Sequence, residues 1–273
     1  ARVRARNHVA AFIKSFYRRS DMSMLELTPD FIKEFAAYLS TEAGLRNGSI
    51  WANCMWLKGV VMKAHYNGLI PRNPFIQFHI SPNVKEREYL TEDELKAVMT
   101  HEFADSKLAY IRDIFIFASF TALSFVDIQE LTNDNIVEVN GEKWILSKRH
   151  KTKVAFQVKL LDIPLQIVER YRPMQKDNRI FPGLNYWSIC KPLKRMIREC
   201  GITKSISFHC SRHGFATLAL SKGMPIESVS RVLGHTNIVT TQLYAKITTQ
   251  KLDNDLTMFG DKLSKTFNGI TMS

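Results

Sequence analysis

Over most of this chain apolar residues recur every three or four positions, and only on either side of Asn140-Gly141 does the interval fall to two. Side chains return to one face of an α-helix about every 3.6 residues and to one face of a strand every second residue. Asn-Gly between two alternating runs is a strong hairpin signal, because both residues tolerate the positive φ of a two-residue turn. Strands are therefore expected over 136–139 and 143–146, with a third over 154–161, between two helical stretches. The fold class this implies is mainly α with a small β-sheet (α+β). At 273 residues and 45% hydrophobic, the chain can bury more than one core.

The first helical stretch reads as a small unit of three or four helices. Val9, Phe12, Ile13, Phe16 and Tyr17 share one helix face. Thr28 and Pro29 suit a helix start, as cap and first residue, and Phe31, Phe35, Tyr38 and Leu39 follow as a stripe that Gly44 stops. Ser49 is the expected cap of a third helix through Trp56, Val60 and Ala64, broken by Pro71 and Pro74. Residues 81–89 are polar and contain Pro82. The expected division is a helical domain over 1–82, a linker over 83–89 and a larger domain over 90–273, with a tail from about 248. The larger domain opens on a capping box, Thr91 to Glu94.

Charge narrows the partner. Lys and Arg number 38 against 26 Asp and Glu, a formal +12. Residues 1–82 hold 11 basic and 5 acidic side chains, and 83–273 hold 27 and 21, so each part carries +6. A polyanion facing both parts fits this better than a single lipid-binding patch. The longest apolar runs, such as 114–119, are too short to span a membrane. Cys54, Cys190, Cys200 and Cys210 form no C-x-x-C pair, which points to reduced thiols and an intracellular setting. The chain starts at Ala1 rather than Met, so an upstream segment is expected.

The stretch 207–244 carries the chemistry. His209-Cys-Ser-Arg212 is followed by Leu233-Gly234-His235 and, nine residues after His235, by Tyr244. A phosphoryl-transfer transition state carries more negative charge than its ground state, so fixed cations and N–H donors lower its barrier. Arg offers a planar fork to two phosphate oxygens, His donates a hydrogen bond or moves a proton, and a Tyr hydroxyl attacks phosphorus once cations lower its pKa. Pro225 is expected to open a helix ending at Gly234, and Thr236 to cap a further helix with Tyr244 two turns along it. Taken singly, each residue has a plainer reading: Tyr244 as packing, His235 as a cation at a helix C-terminus, and 143–153 as a solvated hairpin with five Lys or Arg and no effect on phosphate. The basic run from Arg2 to Arg19 is equally readable as a soluble face. His209, Cys210 and His213 lack a fourth ligand nearby, so no metal is expected.

Together these motifs resemble the tyrosine recombinase (phage integrase) family, and the resemblance covers essentially the whole chain, including Asn73-Pro74 and the Leu-Thr-x-x-Glu helix start at Leu90. It implies a helical, SAM-like core-binding domain and a catalytic domain that clamp duplex DNA. It also implies cutting and rejoining through a 3′-phosphotyrosyl bond, with no cofactor. By that resemblance Tyr244 is the nucleophile and Arg212 grips the non-bridging oxygens. His209 donates to phosphate or takes the Tyr proton, and His235 is a further donor. The Arg149-His150-Lys151-Thr152 turn matches the family's basic hairpin, with Lys151 as general acid and Lys153 as the neighbour to test second. Arg46, Asn47, Ser49, Lys58, Arg149 and Lys153 are the expected DNA contacts.

One position departs from the pattern. Where the family carries its first catalytic Arg, in Thr-Gly-Leu-Arg, this chain has Thr121-Ala122-Leu123-Ser124. Another cation fills the gap, with Arg149 the candidate; or the enzyme is slow or helper-dependent; or it binds DNA without cutting. Integrases of bacterial conjugative and mobilisable transposons show a similar loss, and the chain resembles that branch. The expected function is a site-specific recombinase integrating or excising a mobile element in the bacterial cytoplasm, on nucleoid DNA. The alternatives are a degenerate DNA-binding protein and a type IB topoisomerase. Expected partners are double-stranded DNA, further copies forming a tetramer on DNA from a free monomer, and accessory proteins. Leu252, Leu256, Phe259 and Leu263 form a stripe for docking on a neighbour or for packing in cis. An arm-site domain before Ala1 is implied by the same family.

Overall fold

In the computed structural model, residues 2–82, 88–150, 153–175, 177–244 and 249–266 are described. The chain divides into two compact units, Ala1–Glu86 and Arg87–Ser273.

In the first unit α1 (Arg2–Phe16), α2 (Pro29–Thr41) and α3 (Asn47–Tyr66) enclose one core. Phe12 is its centre, with the rings of Phe31 and Phe35 within 5.1 and 5.5 Å. The Thr28 side chain caps α2 by accepting from the Phe31 N–H, with Pro29 in the first turn. The third helix starts two residues before the Ser49 expected from sequence. Arg46 is its N-cap and makes no side-chain capping bond. The Pro71–Pro74 break folds back. The Asn73 side chain accepts from the Phe75 N–H at 2.9 Å, which turns the Phe75 ring into the core.

The second unit is built around α5 (Ser106–Thr121), buried from Ile114 to Ser119 without a polar stripe, as expected for a helix surrounded on all sides. Before it, α4 (Glu92–Thr100) carries the capping box of Thr91 and Glu94. A buried Asp113 on α5 is held by Arg112 (2.9 Å), Arg170 (2.6 Å) and the Tyr171 hydroxyl (2.8 Å). After α6 (Phe125–Gln129) comes an antiparallel sheet of β1 (Ile136–Val139), β2 (Glu142–Lys148) and β3 (Ala155–Lys159), in that order. Asn140 (φ 54°) and Gly141 (φ 77°) turn the first hairpin. Next follow α7 (Asp162–Tyr171), α8 (Tyr186–Glu199), α9 (Cys210–Ser221), α10 (Ile226–Leu233), α11 (Val239–Gln242) and α12 (Thr249–Thr266). The class is α+β, mainly helical with this one small sheet.

Residues 83–87 of the expected linker lie outside the described residues. Its last two, Glu88 and Tyr89, are tied to the second unit: Glu88 accepts from the Ser205 N–H and the Tyr89 carbonyl accepts from Lys204. All four cysteines are free thiols. Among the described residues no helix is long and apolar enough to cross a membrane.

Candidate active site

The site forms where α9, the end of α10 and the tip of the β2–β3 hairpin meet the turn after α5. That turn has Ala122 in the left-handed region (φ 56°), which aims its carbonyl at Arg212 on α9. Arg212 donates one Nη to the Ala122 carbonyl at 2.8 Å and the other to the Leu233 carbonyl at the end of α10. His209 is the N-cap of α9 and makes no side-chain capping bond, and its ring is exposed.

Ser124 has a local task. It caps α6, accepting from the Asp127 N–H and donating its hydroxyl to Asp127 Oδ2 at 2.8 Å. Asp127 is buried and also receives Arg149 Nη1 at 2.7 Å and the His150 N–H at 3.1 Å. Burial alone would raise this carboxyl's pKa, but the bonds from His150, Arg149 and Ser124 outweigh it and hold the group below the usual carboxylate range.

The sequence places Arg149 among the expected DNA contacts and makes it the candidate to replace the missing cation. Arg149 is not on the outside of the hairpin. Only 5% of it is exposed. Its guanidinium lies 4.1 Å over the Phe156 ring, and Nη2 reaches the Val232 carbonyl at 2.5 Å. Its Nε is buried without a hydrogen-bond partner. Arg149 and Arg212 are thus held by the carbonyls of consecutive residues, 232 and 233, at the negative end of α10.

Gly234 makes this possible. It has φ 64°, and a Cβ there would stand 2.9 Å from Nε and 3.1 Å from Cγ of Arg149. A left-handed non-glycine residue costs about 1–2 kcal/mol, and the Arg149 contact adds to that. Gly234→Ala is expected to destabilise this unit by about 2–3 kcal/mol in urea denaturation. An unchanged midpoint would show that Arg149 yields freely.

The loop beyond Gly234 differs from expectation. Thr236 caps nothing. The helix after it is the four-residue α11, whose Val239 N–H is received by the Asn237 side chain at 2.9 Å. Tyr244 sits in the turn that follows, not two turns along a helix. Its ring is half-buried against the cluster of Ala122, Ala216, Leu220, Val229 and Leu233, 5.2 Å from the His213 ring. His213 in turn meets the His209 ring edge-on at 4.7 Å. His235 has Nδ1 2.9 Å from the hydroxyl of the buried Thr241.

These groups share one field. Burial, and next the charge of Arg149, bring the Arg212 guanidinium down to about 10. Burial, then Arg212, Arg149 and His209, push His235 from 6.5 to about 4. His235 is therefore a neutral imidazole near pH 7. Between about pH 4 and 6.5 the folded chain binds fewer protons here than the unfolded chain, so stability falls as pH drops through that window. His235→Gln should flatten this part of a plot of denaturation midpoint against pH, and an unchanged slope would refute the assignment.

The remaining expected site residues fall elsewhere. Lys151 lies outside the described residues. Lys153 is exposed at the same hairpin tip, with φ 57°. Arg46, Asn47 and Ser49 are exposed at the start of α3, and Lys58 is half-buried on the same helix. One surface was missed: Trp187, Lys191, Lys194, Arg195 and Arg198 run along the exposed side of α8. Their spacing of four, three, one and three was visible in the sequence as a basic helical stripe with an aromatic. The hold of Asp127 on the hairpin has no local signal in the sequence, because Arg149 lies 22 residues away.

A model of the phage integrase family matches residues 88–251, and one of the phage integrase SAM-like domain matches residues 1–80. Tyrosine recombinase XerA of Pyrococcus horikoshii is 32% identical over 177 residues, 60% of this chain and 58% of that protein. The chain thus spans less than two thirds of that relative. Tyrosine recombinase XerC of Lactobacillus leichmannii is 25% identical over 229 residues, 78% of this chain and 77% of its own length. The Tn1549 transposon integrase in complex with circular intermediate DNA has a TM-score of 0.77 at 17% identity, covering 94% of this chain and 93% of that one. A lambda integrase dimer bound to a COC′ core site gives 0.68 at 17%, covering 89% and 87%. The likeness to these two structures is one of fold.

Proposed function

The chain belongs to the phage integrase family, and from that premise we propose that it is a site-specific DNA recombinase that cuts and rejoins duplex DNA through Tyr244. The observation that carries this reading is the grouping of Arg149, Arg212, His209 and His235 with Tyr244, contributed by the second unit alone. Tyr244 Oη attacks the scissile phosphorus, a 3′-phosphotyrosyl bond forms, and the bond to the 5′-oxygen breaks. His209 takes the phenol proton and Lys151 protonates the departing 5′-oxygen. Arg212 and Arg149 hold the non-bridging oxygens, and neutral His235 donates a further hydrogen bond. The phosphotyrosyl bond keeps the free energy of the broken diester, so rejoining needs no nucleotide.

Ser124 is the one residue that favours binding without cutting. Against that reading, Arg149 stands on Asp127, the residue that Ser124 also bonds, and places a guanidinium beside the position that lacks one. Positive charge is therefore available although position 124 has none.

The substrate is double-stranded DNA, the ends or joined ends of a mobile element in the bacterial cytoplasm. Phosphate contacts come from Arg46, Asn47, Ser49 and Lys58 in the first unit and from Lys153 and the α8 stripe in the second; such contacts set position rather than sequence. The protein works as four copies on two duplexes, assembled from free monomers with accessory proteins. Leu252, Leu256 and Phe259, all about half exposed on α12, are the surface for a neighbouring copy.

The test is a nicked suicide duplex carrying a site that the protein selects from random sequence. A covalent adduct mapped by peptide mass spectrometry to Tyr244 is the expected result. Tight binding with no adduct would overturn the recombinase reading in favour of binding alone.

A further inference from the structure

Thr241 is a fully buried polar residue that the mechanism above does not use. It makes two contacts that matter. Its hydroxyl lies 2.9 Å from Nδ1 of His235, and its carbonyl accepts the Tyr244 N–H at 3.0 Å. Its own N–H is bonded to the Ile238 carbonyl at 2.7 Å, so the residue is anchored from three sides. One residue thus joins the ring of His235 to the turn that bears Tyr244.

The hydrogen bond has two possible senses. If Nδ1–H donates to the hydroxyl, Nε2 carries a lone pair; if the hydroxyl donates to Nδ1, Nε2 carries the proton. The ring sits among Arg212, Arg149 and His209, a cluster suited to an anion. An imidazole lone pair facing a phosphate oxygen is repulsive, whereas Nε2–H is a donor, so the second sense is favoured once phosphate is bound. Burial, and then the neighbouring cations, keep the ring neutral near pH 7, so its tautomer decides what it can do.

We propose that Thr241 is a positioning residue that donates to Nδ1 of His235, fixes the ring as an Nε2–H donor, and holds it in register with the turn of Tyr244. This rests on the roles given above to His235 and Tyr244. It adds what selects the tautomer, in the way an orienting partner selects that of a catalytic histidine.

The experiment is long-range 1H–15N NMR of the His235 ring in the whole chain, assigned by loss of the signals in His235→Asn, with and without the selected duplex. Alongside it, single-turnover cleavage is measured for Thr241→Ser, Thr241→Val and Thr241→Val with His235→Ala. An Nε2–H tautomer is expected in the wild type and in Thr241→Ser, with cleavage in the latter within about 3-fold, since the hydroxyl is kept. Thr241→Val, nearly isosteric, should mix the tautomers and slow cleavage about 10- to 100-fold at unchanged duplex affinity, as for loss of one transition-state donor. It should add nothing when His235 is already Ala. An Nδ1–H tautomer in the DNA-bound wild type, or equal losses in Ser and Val, would overturn the proposal. Should the Val variant not fold, the wild-type tautomer and the Ser variant still decide. Cleavage that persists in Tyr244→Phe would strike the assigned nucleophile instead, while the tautomer tests Thr241 on its own.

Discussion

Arg149→Ala should destabilise the larger unit by about 3–5 kcal/mol, the usual result of removing one partner of a buried ion pair. The pair is Arg149 and Asp127 at 2.7 Å, with side-chain exposures of 6% and 4%. Without the guanidinium, Asp127 keeps only the Ser124 and His150 donors, and its negative charge stays out of water. The same substitution removes a cation beside Arg212, so strand cleavage should fall on the order of 10²- to 10³-fold on top of any loss of folded protein. Arg149→Lys separates the two effects. An ammonium keeps the charge but cannot reach Asp127 and the Val232 carbonyl as one planar fork, so stability should recover more than cleavage. Placing Ser124→Arg in the Arg149→Ala chain returns a cation beside Asp127, and partial recovery of both is expected. Urea denaturation of the whole chain, followed for the transition of the larger unit, gives the first quantity and adduct formation the second. An Arg149→Ala chain that melts and cleaves like wild type would end the idea that Arg149 replaces the lost charge.

Tyr244→Phe should give no covalent adduct, a loss on the order of 10⁴-fold or more, because it removes the oxygen that forms the bond to phosphorus. The ring keeps its contact with His213 and with the apolar cluster below it. Folding and duplex affinity should therefore change little, within about 0.5–1 kcal/mol, as for a substitution that keeps the ring and its packing. Gel-shift affinity and adduct yield on one suicide duplex measure both. An adduct on Tyr244→Phe would send the search to another hydroxyl, and a loss of binding would make Tyr244 a packing residue after all.

Much of this was legible because it is local. The Thr28 and Thr91 caps, the Asn140-Gly141 turn and the stop at Gly234 depend on residues within about four positions of each other. The spacing from Arg212 to Tyr244 carried the candidate site in the same way. The errors come from contacts across the chain. Ser49 looked like a cap, but α3 starts at Asn47. Thr236 looked like a cap, but Asn237 does that work, and α11 is too short to reach Tyr244. Arg149 looked like the tip of a solvated hairpin.

The linear order of residues determined by itself that the chain is helical around one hairpin, that it is basic in both parts, and which His, Arg and Tyr belong together. These follow from periodicity, charge and motif spacing, and none needs a partner distant in sequence. Only the tertiary structure decided where Arg149 goes. Its partners, Asp127 and the Val232 carbonyl, lie 22 and 83 residues away, and the absence of a side chain at Gly234 leaves room for it. A guanidinium leaves water only when a carboxylate, a carbonyl and an aromatic face converge on it together, and folding alone brings those groups to one place.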